Sequence, residues 1–89
     1  MVIEIATFRP TIDEADFAAL DARVQTEFVY QQHGCVRRTT ARSPDGEWLA
    51  LTFWQSMKDA ESAEKSDDPL WREFRDAAGD YTVGRFTSL

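Results

Sequence analysis

One cysteine, one histidine and a deficit of basic residues mark this 89-residue sequence before any motif does. Cys35 has no second cysteine with which to close an internal disulfide, so a reducing compartment, the cytoplasm, is the expected location. His33 and Cys35, separated only by Gly34, do not make a zinc or iron ligand set, although carboxylates are abundant; no metal is expected. Neither a Gly-x-Gly-x-x-Gly fingerprint nor a phosphate loop is present, so no cofactor is expected. Ten Lys and Arg stand against sixteen Asp and Glu, a formal charge of −6, and phosphate binding needs a basic footprint. Nucleic acid and anionic membrane are therefore not expected as partners. No stretch approaches the roughly 18 apolar residues of a membrane span. The start, Met1-Val2-Ile3-Glu4, lacks the basic region and long apolar run of a signal peptide.

What remains is ordinary globular material, 43% hydrophobic and 29% charged, long enough for one domain over residues 1–89. Val2, Ile3, Glu4, Ile5, Ala6, Thr7, Phe8 and Arg9 read as a strand stopped by Pro10. Thr11-x-x-Glu14 has the form of a capping box. Phe17, Leu20, Val24 and Phe28 then form one stripe of an amphipathic helix, which Gly34 is expected to stop. Residues 35–42 make a more polar strand, Ser43-Pro44-Asp45-Gly46 a turn, and residues 47–55 the most hydrophobic strand. Ser56-x-x-Asp59 caps a short helix to about Lys65. Asp68 and Pro69 open a second turn carrying Leu70, Trp71 and Phe74, with Gly79 as its expected end. Residues 80–88 form the last strand. The expected class is α+β, a ferredoxin-like β-α-β-β-α-β order with an antiparallel four-stranded sheet and the helices on one face.

The third strand carries the most information. One side presents Leu49, Leu51 and Phe53, the other Trp48, Ala50, Thr52 and Trp54. A sheet with one wet face should alternate apolar and polar residues, and this strand does not. The first strand repeats the pattern more weakly, with Ile3 and Ile5 opposed to Val2, Ala6 and Phe8. Helices can cover one side only, so a homodimer is expected, its partner copy covering the second.

Few side chains suit chemistry. His33 is the one group expected to titrate near neutrality; it reads as a helix C-terminal residue or as a general acid or base. Cys35 reads as a small buried hydrophobe or a nucleophile. Arg37, Arg38 and Arg42 crowd the second strand; Arg38 and Arg42 should share a face with Val36 and Thr40, with Arg37 opposite. They read as surface ion pairs, or as a guanidinium holding a carboxylate or enolate-like oxyanion in a cleft. Trp54, Trp71, Phe74 and Tyr81 read as core, or as walls for a small apolar or aromatic ligand. Tyr30 and Tyr81 are further possible proton donors.

Leu51-Thr52-Phe53-Trp54-Gln55-Ser56, the downstream Ala60, the Asp68-Pro69 break and Phe74 resemble the antibiotic biosynthesis monooxygenase-like family. This group of dimeric α+β barrel proteins includes quinol monooxygenases and haem-degrading enzymes. The likeness spans nearly the whole chain in element order. It implies two sheets meeting face to face and a cleft between each sheet and its helices. It also implies cofactor-free oxygen insertion into a small phenolic, quinol or polyketide-like substrate. In that role Trp54, Trp71 and Phe74 would bind substrate, Arg38 would steady its anion, and His33 or Tyr81 would move the proton. Haem degradation does not fit, because those members use an asparagine on the first strand and this sequence has none. Where they place a tryptophan and a histidine on the second helical segment, this chain has Ala63 and Glu73. Quinol monooxygenases favour histidine where it has Glu61, Ser62 and Leu70. A non-catalytic ligand-binding or assembly module, and an isomerase or lyase, are the alternatives.

Overall fold

The computed structural model describes all 89 residues, in the order β1 (Val2–Pro10), α1 (Glu14–Glu27), a short 3-10 turn (Val29–Gln31), β2 (Cys35–Arg42), β3 (Trp48–Trp54), α2 (Met57–Glu64), α3 (Pro69–Ala77) and β4 (Ala78–Thr87). The four strands form one antiparallel sheet in the order β2-β3-β1-β4. This is the expected ferredoxin-like α+β arrangement.

Each helix starts where a side chain can satisfy its free N–H groups. At α1 the cap is Asp13, whose Oδ2 accepts from the backbone N–H of Ala15 and Asp16. This corrects the expected capping box at Thr11. Thr11 instead ties the end of β1 to the end of α3, its N–H and hydroxyl both donating to the Ala77 carbonyl. Ser56 and Asp68 cap α2 and α3 as expected.

The helix ends differ from expectation. Gly34 does hold φ +83, but α1 stops at Phe28 and the 3-10 turn intervenes. A Cβ at Gly34 would fall within 2.1 Å of the Asp59 carboxylate, so glycine there lets two segments approach. Gly79 does not terminate α3 by a positive φ. It lies within β4, where a Cβ would sit 2.8 Å from the Arg9 carbonyl, and Asp80 takes the positive φ instead.

Both sides of β3 are apolar, and the helices take the tryptophan side. Trp48 and Trp54 are only 9% and 3% exposed, beside Ala50 and Thr52. The predicted α1 stripe of Phe17, Leu20, Val24 and Phe28 is entirely buried against this face. At its centre Phe17 meets Trp48 edge-on at 5.0 Å, with Phe74 at 5.5 Å and Phe8 at 5.7 Å. The opposite face has no layer over it. In register across the sheet it presents Phe86, Ile3 and Phe53, then Gly84, Ile5 and Leu51, then Thr82, Thr7 and Leu49. Phe86 is 58% exposed.

Two register shifts adjust what points where. One between Cys35 and Arg37 places Val36 at an irregularity and leaves it exposed, so it does not join Arg38 and Thr40 as strict alternation implied. Another between Thr7 and Arg9 frees Phe8 from β4, and its ring stacks on Tyr81 at 5.6 Å.

Because Phe17 has no exposed surface, Phe17→Ala is expected to cost about 3–5 kcal/mol of stability. Urea denaturation at fixed protein concentration measures this; a loss under about 1 kcal/mol would show that the four-ring cluster is not the centre of the core.

Candidate functional site

Between the helix-side face of the sheet and the helices lies a narrow cavity. β1 contributes Glu4 and Ala6, β2 Arg38, β3 Ala50, Thr52 and Trp54, and β4 Tyr81. α2 contributes Ala60, Ala63 and Glu64, α3 Trp71 and Phe74, and the link after α1 contributes Phe28, its C-cap, and Val29 of the 3-10 turn. Its free volume is about 20 Å³, room for about one water and far below the roughly 300–1,000 Å³ of small-molecule sites. The space is taken by a column of rings: Phe28 stacks on Trp71 at 5.1 Å, and Trp71 on Phe74 at 5.5 Å. Trp71 is held in place by its indole N–H, which donates to the Glu64 carbonyl at 3.1 Å.

Two ion-pair clusters supply the polar part of the wall, one buried, Arg38 with Asp21, and one half-buried, Arg85 with Glu4 and Glu64. Arg38 is 5% exposed, and its Nη2 donates to Asp21 Oδ1 at 2.8 Å while Nη1 donates to Gln25 Oε1 at 3.0 Å. Thr40 donates to the other Asp21 oxygen at 3.3 Å. The guanidinium also lies 5.6 Å from the Phe74 ring centre. Tyr30 fixes the strand beneath, its hydroxyl donating to the Arg38 carbonyl and accepting from the Arg38 N–H.

In the second cluster Arg85 Nε donates to Glu4 Oε2 at 2.7 Å and Nη2 to Glu64 Oε1 at 2.8 Å. Trp54 Nε1 donates to the other Glu4 oxygen at 3.3 Å. Burial works against the charge on Arg85, but the hydrogen bonds and the pull of Glu4 and Glu64 outweigh it and hold the guanidinium above its ordinary pKa.

Tyr81 faces the same cavity. Burial pushes its phenol up to about 12, against the opposing pull of Arg75, whose guanidinium lies 3.7 Å from the ring centre. At neutral pH Tyr81 is therefore a hydrogen-bond donor, not a base.

Five of the six residues singled out from sequence thus meet at one place: Trp54, Trp71 and Phe74 as apolar wall, Arg38 and Tyr81 as polar groups. His33 does not join them. Its side chain is 89% exposed, outside the cavity lining and 3.8 Å from Asp59. The 3-10 turn, which the helical pattern did not reveal, carries His33 away. Arg42 pairs with Glu14 at the surface and Arg37 is exposed. Cys35 is partly buried, and burial raises its thiol above its ordinary pKa against the pull of Arg38, which leaves it protonated near neutrality.

Sequence reasoning passed over Asp21, Glu4, Glu64 and Arg85. The signal was present: Glu4 is in phase with Val2, Ala6 and Phe8 on the buried side of β1, and Asp21 adjoins the buried stripe of α1. A charge in phase with a core face requires a partner.

No family model matches the sequence, and no curated protein matches it. Solved structures do. SnoaB, a cofactor-independent oxygenase from Streptomyces nogalater, is similar with TM-score 0.83 and 24% identity, over 99% of this chain and 92% of SnoaB. A Bordetella bronchiseptica protein provisionally named an antibiotic biosynthesis monooxygenase gives TM-score 0.77 and 22% identity, over 99% of this chain and 96% of that one. Rv0793 from Mycobacterium tuberculosis gives 0.67 and 23%, over 99% and 94%. The chain has the fold of the antibiotic biosynthesis monooxygenase structures.

Removing one member of the buried Arg38–Asp21 pair leaves an uncompensated charge, so Arg38→Met is expected to cost about 3–5 kcal/mol. The double variant Asp21→Leu/Arg38→Met should recover a substantial part of that loss in the same urea titration. A double variant no more stable than Arg38→Met alone would contradict the pairing.

Proposed function

We propose that this chain is a member of the antibiotic biosynthesis monooxygenase-like family. In this reading it is a cofactor-independent monooxygenase for a small phenolic, quinol or polyketide-like substrate, working as a cytoplasmic homodimer. The observation that carries the proposal is the cavity. On a fold shared with a cofactor-independent oxygenase, Arg38 and Tyr81 stand among Trp54, Trp71 and Phe74 between sheet and helices.

The chemistry asked of such a site is modest. A phenol or enol gives up its hydroxyl proton, and the electron-rich anion reduces dioxygen and forms a carbon–oxygen bond to it. Loss of water then leaves a quinone. For a naphthol the balance is naphthol plus dioxygen to naphthoquinone plus water, and the substrate supplies all the electrons. The protein contributes positive potential and a donor in a dry enclosure, where both act more strongly than in water. Arg38 offers the former, with two of its five N–H donors engaged by Asp21 and Gln25. Tyr81, protonated at working pH, offers the latter. A free volume of about 20 Å³ means that substrate enters only as Trp71 or its neighbours move aside.

A second reading, a non-catalytic binding or assembly module, is favoured by that same packing: the ring column fills the cleft without any ligand. Oxygen uptake distinguishes the two. With a panel of naphthols and hydroquinones, wild type is expected to consume oxygen and yield the quinone. Tyr81→Phe should reduce the rate by about 100-fold and His33→Ala should leave it unchanged. No uptake with any member of the panel favours the module.

Support for the dimer comes from the uncovered sheet face with Ile3, Ile5, Leu49, Leu51, Phe53 and Phe86. A face of this kind belongs with interfaces of roughly 2,000 Å² or more. Sedimentation at micromolar concentration is expected to give twice the 10.2 kDa chain mass, and a folded monomer there would refute the dimer.

A further inference from the structure

The carboxylate of Glu4 is pinned at both oxygens, by Trp54 Nε1 at 3.3 Å and by Arg85 Nε at 2.7 Å, and it forms part of the cavity wall. A carboxylate has about four acceptor positions, so these two donors leave acceptor capacity unused. Glu64, on the same wall, shares Arg85 with it. One guanidinium therefore serves two carboxylates. That guanidinium stands behind the wall; Arg38, the one cation in the lining itself, is matched by Asp21. Arg75 is not on the wall; its guanidinium lies against the Tyr81 ring. The lining thus carries two carboxylates, Glu4 and Glu64, against one guanidinium, Arg38, which already faces Asp21.

From this arrangement we infer that Glu4 is the acceptor that orients a substrate hydroxyl in the cavity, and that the cavity selects uncharged hydroxyarenes over arenecarboxylates. Trp54 and Arg85 act here as positioning residues, fixing the Glu4 rotamer from opposite sides. A hydroxyl entering beside Glu4 donates to a half-buried acceptor already held in place from two sides. A carboxylate in the same position has no proton to donate and meets two like charges, a repulsive element built into the wall. The inference rests on the oxygenase reading only in taking the cavity as the ligand site.

Isothermal titration calorimetry of wild type and Glu4→Gln with 1-naphthol, 1-methoxynaphthalene and 1-naphthoate tests it. Wild type is expected to bind 1-naphthol at least about tenfold more tightly than either analogue, because one lacks the donor and the other carries the charge. Glu4→Gln, which keeps an oxygen for Trp54 or Arg85, should lose most of the discrimination against naphthoate. If that variant fails to fold by circular dichroism, the wild-type order of affinities decides alone. Naphthoate bound by wild type as tightly as naphthol overturns the inference and leaves the oxygenase reading intact. Discrimination unchanged in a folded Glu4→Gln does the same. Naphthol preferred as expected, with no oxygen consumed, upholds Glu4 and overturns the oxygenase. Binding of none of the three ligands overturns both.

Discussion

Arg85, wedged between Glu4 and Glu64, is what permits charge beneath the helices of this small domain. Glu4 lies in the middle of β1, flanked on its face by Val2 and Ala6, both buried. A half-buried carboxylate between such neighbours calls for a partner. The cross-strand pairing of Glu4 with Arg85 places the guanidinium directly beside it, and the end of α2 brings Glu64 to the same group. Three elements are thereby linked by one side chain. The indole of Trp54 completes the shell, so the most polar point of the cavity is also among its most constrained.

The Arg38–Asp21 pair performs the same service toward the other edge of the same sheet face, between β2 and α1. Both clusters obey one rule: each charge has a partner within 2.8 Å, and further hydrogen bonds take up part of what is left. The aromatic column of Phe28, Trp71 and Phe74 fills the remaining space. Polar groups are therefore preassembled beside a close-packed aromatic column, with free space of about 20 Å³ between them. The apolar outer face of the sheet is a separate matter, physically independent of the cavity because the sheet itself lies between them.

Much of the site was legible from residue type and phase. Arg38 among threonines on a short strand, and three large aromatics clustered after residue 50, marked groups that the fold does bring together. His33 lies apart from them for a local reason. A helical stripe says where a helix packs but not how its chain leaves, and the 3-10 turn at Val29–Gln31 redirected the segment into solvent. Glu4, Glu64 and Arg85 escaped notice because their significance lies in pairing between positions up to 81 residues apart.

Hydrophobic periodicity and turn chemistry act locally, and so the sequence by itself determined the element order, the α+β class and the two-sided character of β3. Which side of β3 the helices cover, where Gly79 and Thr11 make their contacts, and which charges meet were decided only in the tertiary structure. Those outcomes depend on strand register and on distances between remote segments. A single-residue shift such as the one at Val36 changes them without altering any local preference.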